Sequence, residues 1–169
     1  NIIKHKYNGS RLDYLVLAGD ILDFSISSYS RTYETARFFF QKIQDDNITK
    51  EIIYLPGNHD FDIWNTVQYQ LHITNRILHG KAPRQFRMSV PAILDDRTSQ
   101  DYTFTLPFVR RHTEKEGAQY AGLFLDNLTN PSLPFNFGFP NLYVRTENET
   151  ILITHGQYLD LYWSLLGRW

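Results

Sequence analysis

Three short apolar runs stand out against a polar background, and each breaks abruptly at glycine or at a chemically active residue. Leu12 to Ala18 is almost continuously apolar, the pattern expected of a strand buried on both faces, and it stops at Gly19. Glu51 to Leu55 is the second run and breaks at Pro56-Gly57, while Thr150 to Thr154 is the third and ends at His155-Gly156. Between the first two, Tyr33, Ala36, Phe40 and Ile43 fall at helical spacing and Phe39 widens the stripe. Ser28 to Ser30 offers N-cap candidates for that helix and Asp45-Asp46-Asn47 ends it. Strand, helix and strand make a βαβ unit, with the right-handed crossover that parallel strands almost always adopt.

The region from Phe61 to Leu78 predicts a second helix, with Ile63, Val67, Leu71, Thr74 and Leu78 on one side and a stop at His79-Gly80. Leu142–Thr146 and Thr150–Thr154 flank Glu147-Asn148-Glu149 and predict a β-hairpin, after which Tyr158 to Leu166 opens another helix. Residues 1–11 are polar and read as the tail of a helix. Residues 81–140 hold most of the prolines and the aromatic cluster Phe135-Asn136-Phe137 with Phe139, together with a strand-like piece at Tyr102–Leu106 and a helical one at Gly117–Leu128. This stretch reads as an insertion or cap within one domain spanning 1–169, and such segments commonly shape substrate choice.

Composition narrows the class. At 169 residues, with 42% hydrophobic and 21% charged residues, the chain suits one folded domain with a real core and is not disordered in character. A net charge of −1 gives no global attraction to nucleic acid or anionic membrane. Arg76 to Lys115 is mildly basic, with eight Lys/Arg against four Asp/Glu, which suits a phosphate-bearing substrate and equally a solvated surface. The absence of cysteine excludes disulfides and thiolate metal sites, so any metal must sit in oxygen and imidazole ligands. No stretch approaches the roughly 20 apolar residues that span a bilayer, and no signal peptide is visible, so a cytoplasmic protein is expected. Asn8, Asn47, Asn127 and Asn148 begin Asn-x-Ser/Thr triplets, which matter only in a secreted protein.

The chemistry gathers at the run ends. The first delivers Asp20, with Asp23 shortly after; the second delivers Asn58, His59 and Asp60; the third delivers His155. In open α/β sheets ligands bind at the carboxyl ends of strands, so one chemistry repeated at three such ends outweighs any single residue.

Gly19-Asp20-Ile21-Leu22-Asp23, Gly57-Asn58-His59-Asp60 and His155-Gly156 resemble, in order and rough spacing, the middle signature blocks of the calcineurin-like metallophosphoesterases. The Gly-Asn-His-Asp block is the most specific of the three. The resemblance implies an α/β phosphoesterase sandwich of βαβ units and mixed sheets flanked by helices, with a long insertion between the Asn-His and His-Gly blocks. It also implies two divalent metal ions, of Mn, Fe, Zn or Mg. Asp20 would bridge them, Asn58 would offer a neutral carbonyl oxygen, and His155 would bind the second. His59 would serve as general acid, and Asp60 would orient its imidazole or cap the helix that begins at Phe61. Asp23 matches a position the family often fills with Asp, where a structural hydrogen bond is the expected use. His5, His72, His79 and His112 match no block and read as surface or packing histidines.

The opening Asp-x-His block and the closing Gly-His-x-His block of the family do not occur in the chain, so the fold is expected to be incomplete and these residues alone to bind metal weakly and turn over slowly or not at all. The function implied is metal-activated hydrolysis of a phosphate mono- or diester on a phosphorylated small molecule, nucleotide or lipid. A non-catalytic scaffold of the same fold that binds a partner protein is the alternative, which retention of His59 disfavours. A nuclease would need a basic groove that is not evident.

Overall fold

The computed structural model describes residues 10–86, 89, 91–95, 127–129, 133 and 135–159. Its strands are β1 (Leu12–Ala18), β2 (Thr49–Leu55), β3 (Ala92–Asp95), β4 (Phe135–Phe137), β5 (Asn141–Arg145) and β6 (Thr150–Thr154). They form two three-stranded sheets, one in the order β1-β2-β4 and one in the order β3-β5-β6. The first is all parallel; in the second β3 and β5 are parallel and β5 and β6 are the expected antiparallel hairpin. The residues expected to form a strand at Tyr102–Leu106, and helices at Gly117–Leu128 and beyond Leu159, lie outside the described residues apart from a turn at 127–129.

β2 organises the packing. Its side chains alternate between two cores, and Ile52, Ile53, Tyr54 and Leu55 are all fully buried. Ile52 and Tyr54 join Phe135, Phe137 and the helices, whereas Ile53 and Leu55 join Ala92, Leu94 and Leu142 of the second sheet. β1 follows the same alternation, Leu15 and Leu17 toward the helices and Tyr14 and Val16 toward the second sheet. Only Leu17 of β1 is buried, short of the two-face burial its sequence predicts, because β2 is its one strand neighbour among the described residues.

Helix α1 (Tyr29–Asp45) starts one turn earlier than the apolar stripe suggests, where the Ser28 Oγ accepts from the Arg31 N–H at 3.4 Å. It buries Ala36, Phe40 and Ile43 on the first sheet. Burying each large apolar side chain contributes roughly 1.5–3 kcal/mol. The second helical region is not one regular helix. α2 (Phe61–Tyr69) passes into a π turn at Gln70–Thr74 and then α3 (Asn75–Leu78). The wider turn rotates the following residues out of register. Ile63 and Val67 are buried as expected and Leu71 packs partly on the core, but Trp64, Gln68 and His72 replace the rest of the expected face, and Leu78 is 67% exposed. Trp64 stacks on Phe137 with ring centres 5.5 Å apart.

Phe135–Phe137 lies within the proline-rich stretch and pairs in parallel with β2, while Ala92–Asp95 pairs with β5, so both are sheet strands. The register of β1 on β2 sets Ala18 opposite Leu55. The loops after both strands therefore leave the sheet side by side, and that places the site. No described helix is long and apolar enough to cross a membrane.

Candidate active site

The first loop turns sharply through two residues in the left-handed region, Gly19 at φ 88° and Asp20 at φ 55°. Asp is one of the few residues that visits this region without a large penalty. The turn folds the Asp20 carboxylate back over the second loop, where its Oδ1 accepts from the His59 backbone N–H at 3.0 Å. Its Oδ2 lies 3.1 Å from Nε2 of His155. That same Nε2 is 3.3 Å from Oδ1 of Asn58. A carboxylate, a carboxamide and an imidazole from three strand ends thus converge on one point, half-buried and open to solvent.

Two glycines make the convergence sterically possible. A Cβ on Gly57 would fall on the Asp20 carboxylate, and a Cβ on Gly19 would fall on the His155 ring. The glycines preceding Asp20 and Asn58 are therefore requirements of close approach between loops.

The donor set suits a cation. His155 donates Nδ1–H to the Ala18 carbonyl at 2.9 Å, which fixes the ring and turns Nε2 toward two oxygens that are themselves acceptors. One Asp oxygen, one Asn oxygen and one imidazole nitrogen match Mn, Fe, Zn or Mg better than a soft metal. Among the described residues no group of three or more His, Cys, Asp or Glu side chains is placed to hold a metal, so a cation here would need the Asn58 carboxamide as its third donor.

Beside it, the carboxylate on the His59 ring is that of Asp23. Asp23 Oδ2 lies 3.0 Å from His59 Nδ1. Its other oxygen, Oδ1, accepts from the N–H and the hydroxyl of Ser25 at 2.8 and 2.5 Å. The Ser25 Oγ is also 3.0 Å from His59 Nδ1. The Ser25 bonds, then His59, hold the Asp23 carboxyl at about 2, below the ordinary 3.8. The hydrogen bond to Asp23, with smaller contributions from the charges of Asp20, Asp23 and Asp60, pushes the His59 imidazole above its usual value despite partial burial. His59 therefore keeps its proton further into the neutral range. With Nδ1 engaged by Asp23, Nε2 is the ring nitrogen that could exchange a proton with a ligand.

Asp60 takes neither of the roles its sequence position suggests. It sits at the N-cap of α2, yet its side chain makes no capping bond. Its carboxylate is fully buried and accepts from the Tyr54 hydroxyl and from the N–H groups of Gly57 at 2.6 Å, Ile21 at 3.1 Å and Leu22 at 3.4 Å. It ties the two strand-end loops together from beneath. Burial first, and then the Asp60 charge, drive the Tyr54 phenol far above its ordinary range, so it remains a donor. Nothing in the sequence marks Tyr54 or Ser25 for these tasks, since both lie in segments whose periodicity or polarity accounts for them. Of the remaining histidines, His72 is a packing residue in the π turn, His79 ends α3, and His5 and His112 lie outside the described residues.

Asp20 and Asn58 leave the carboxyl ends of the parallel strands β1 and β2, and His155 meets them from the end of β6 in the second sheet. The carboxyl edge of a parallel sheet is where α/β proteins bind ligands. The family model for calcineurin-like phosphoesterases matches residues 1–165, and the chain belongs to that family. The family is one of metal-dependent phosphoester hydrolysis and typically binds two divalent ions. No curated protein and no solved structure matches the chain.

Proposed function

We propose that the protein hydrolyses a phosphate mono- or diester, with Asp20, Asn58 and His155 holding a divalent ion and His59 acting as general acid. The observation that carries this reading is the meeting of Asp20 and His155 at 3.1 Å directly beside the Asp23–His59 pair. When bound, divalent ions supply charge relief on the phosphoryl oxygens and activate a water for attack. Asp20 serves two ends at once, facing the metal position through Oδ2 while Oδ1 fixes the His59 backbone. Asn58 adds an oxygen without adding charge, which spares an anionic substrate a further repulsion. Asp23 holds the His59 ring and favours its protonated form, so that Nε2–H is available to the departing alkoxide. Such a proton donor typically contributes 10²–10⁴-fold in rate. Asp60 acts by joining the Asp20 and Asn58 loops.

The insertion or cap expected at 81–140, most of which lies outside the described residues, is proposed to shape substrate choice. The substrate itself is a phosphorylated small molecule, nucleotide or lipid.

The test is Mn²⁺ binding by calorimetry, expected to be weak with these residues alone, alongside turnover of bis(p-nitrophenyl) phosphate with added Mn²⁺, expected to be slow. Asp20→Asn should abolish binding, whereas His59→Ala should retain binding and lose turnover. Neither binding nor turnover in the parent protein sinks the proposal in favour of a protein-binding scaffold.

A further inference from the structure

A second concavity, with a volume of about 830 Å³, opens between the start of α1 and the outer face of α2 with its π turn. It falls within the roughly 300–1,000 Å³ typical of small-ligand sites. Its lining includes the rings of Tyr29, Tyr33 and Tyr69, the carboxamides of Asn65 and Gln70, and the Asp62 carboxylate. Tyr29 and Tyr69 are 53% and 54% exposed, an unusual share for large rings, yet each is held in place. Tyr29 stacks on Phe24 with centres 4.3 Å apart and sets its hydroxyl 3.0 Å from Asp62. Tyr69 meets Phe86 edge-on at 5.4 Å. Exposed rings already fixed in orientation are stacking platforms whose ordering cost on binding is small.

The groove is connected to the candidate active site through Phe24 and the first turn of α2. Phe24, which carries Tyr29, donates its N–H to the His59 carbonyl at 3.3 Å and lies between Asp23 and Ser25, the two residues on the His59 ring. Asp62 lies in the first turn of α2, just after His59 and Asp60. The groove wall at Tyr29 is thus linked through Phe24 to the segment that orients the proton donor, and a proton donor faces the leaving group.

The chemistry of the lining narrows the occupant. Among the described residues that line it there is no Lys or Arg, so it is not built for a second phosphate. An acyl chain could cover the apolar ring faces but would use none of the carboxamides set among them. Flat phenol faces beside carboxamides, each with a donor and an acceptor, suit a heteroaromatic ring with polar edges. We propose that this groove receives the nucleobase of a nucleoside leaving group, which makes the substrate a nucleotide ester. This rests on the hydrolase reading for its direction but not for its measurement.

The test uses adenosine and uridine, which carry no phosphate and need neither metal nor turnover. Titration followed by saturation-transfer NMR should show binding that Tyr69→Ala weakens about tenfold, within the range for losing one base–aromatic stack. Tyr69→Leu, which keeps apolar volume without a flat ring, should weaken it similarly, and Asp20→Asn should leave it unchanged. No nucleoside binding while bis(p-nitrophenyl) phosphate is still hydrolysed overturns the groove assignment and leaves the hydrolase standing. Binding indifferent to both Tyr69 variants, or displacement of adenosine by octanoate or methyl glucoside at equal concentration, also overturns it. If nucleosides bind as expected but no ester is hydrolysed, the groove stands and the hydrolase reading fails.

Discussion

Oδ2 of Asp23 lies 3.0 Å from Nδ1 of His59, although 36 residues separate them, and Ser25 braces the same carboxylate from the other side. The nearer carboxylate, Asp60, points inward beneath the loops and serves a different set of donors. Two acidic side chains from neighbouring strand-end loops thus divide the work: Asp23 sets the protonation and direction of the imidazole, and Asp60 sets the position of the backbone that carries it.

Asp23→Asn removes the largest influence raising the His59 imidazole. A raised histidine keeps its proton until the pH passes its elevated value, so removing the cause moves the titration to lower pH. NMR titration of the His59 ring without added metal should show that downward move. Turnover should fall roughly 10–100-fold, as when an orienting carboxylate is lost from an imidazole, with its alkaline limb at lower pH. An unmoved His59 midpoint contradicts the pairing.

Gly57→Ala puts a methyl group where the Asp20 carboxylate sits. The loop must shift or Asp20 must rotate away from His155, so Mn²⁺ affinity should drop by at least about tenfold, consistent with the sensitivity of metal sites to their supports. The thermal midpoint should fall much less than the metal affinity. Unchanged calorimetric affinity rules out the close approach as a functional constraint.

Asp60→Ala leaves the Tyr54 hydroxyl and the Gly57, Ile21 and Leu22 N–H groups without their acceptor in a buried place. At about 1–3 kcal/mol for each stranded buried group, a loss of roughly 3 kcal/mol or more in urea unfolding is expected. Tyr54→Phe removes a single donor and should cost about 1 kcal/mol. Comparable losses in the two variants would show that Asp60 is not the hub.

His72 gives the fold an acid sensitivity distant from the candidate metal position. Its Nδ1 accepts from Arg84 Nε at 2.8 Å, a bond that requires the neutral ring. Burial first, then Arg84 and Arg76, hold its protonation below the ordinary 6.5. For a histidine depressed in the folded state, the contribution to stability is complete above the unfolded value and is lost as pH falls through the folded one. Melting temperatures should therefore decline from about pH 6.5 downward, and the decline should be shallower in His72→Asn. Parallel melting curves in both proteins across pH 5–7 would exclude this contribution.

The elements legible in the sequence are those set by local periodicity. β1, β2, the hairpin of β5 and β6, and α1 follow from runs and stripes a few residues long, because side-chain direction repeats with period 2 in a strand and 3.6 in a helix. The strand-end placement of Asp20, Asn58, His59 and His155 follows from the same patterns, since a residue just past a strand can be located without knowing the strand's neighbours. Tertiary contacts decided the rest. Phe135–Phe137 is a strand because β2 accepts it as a partner, and Asp60 turns inward because four donors from two distant segments meet beneath it. The π turn carries His72 into the core in place of Leu78, a rotation that no regular period contains. Periodicity records which way a side chain points relative to its own backbone; what it meets there depends on how separate segments pack, and that information is not local.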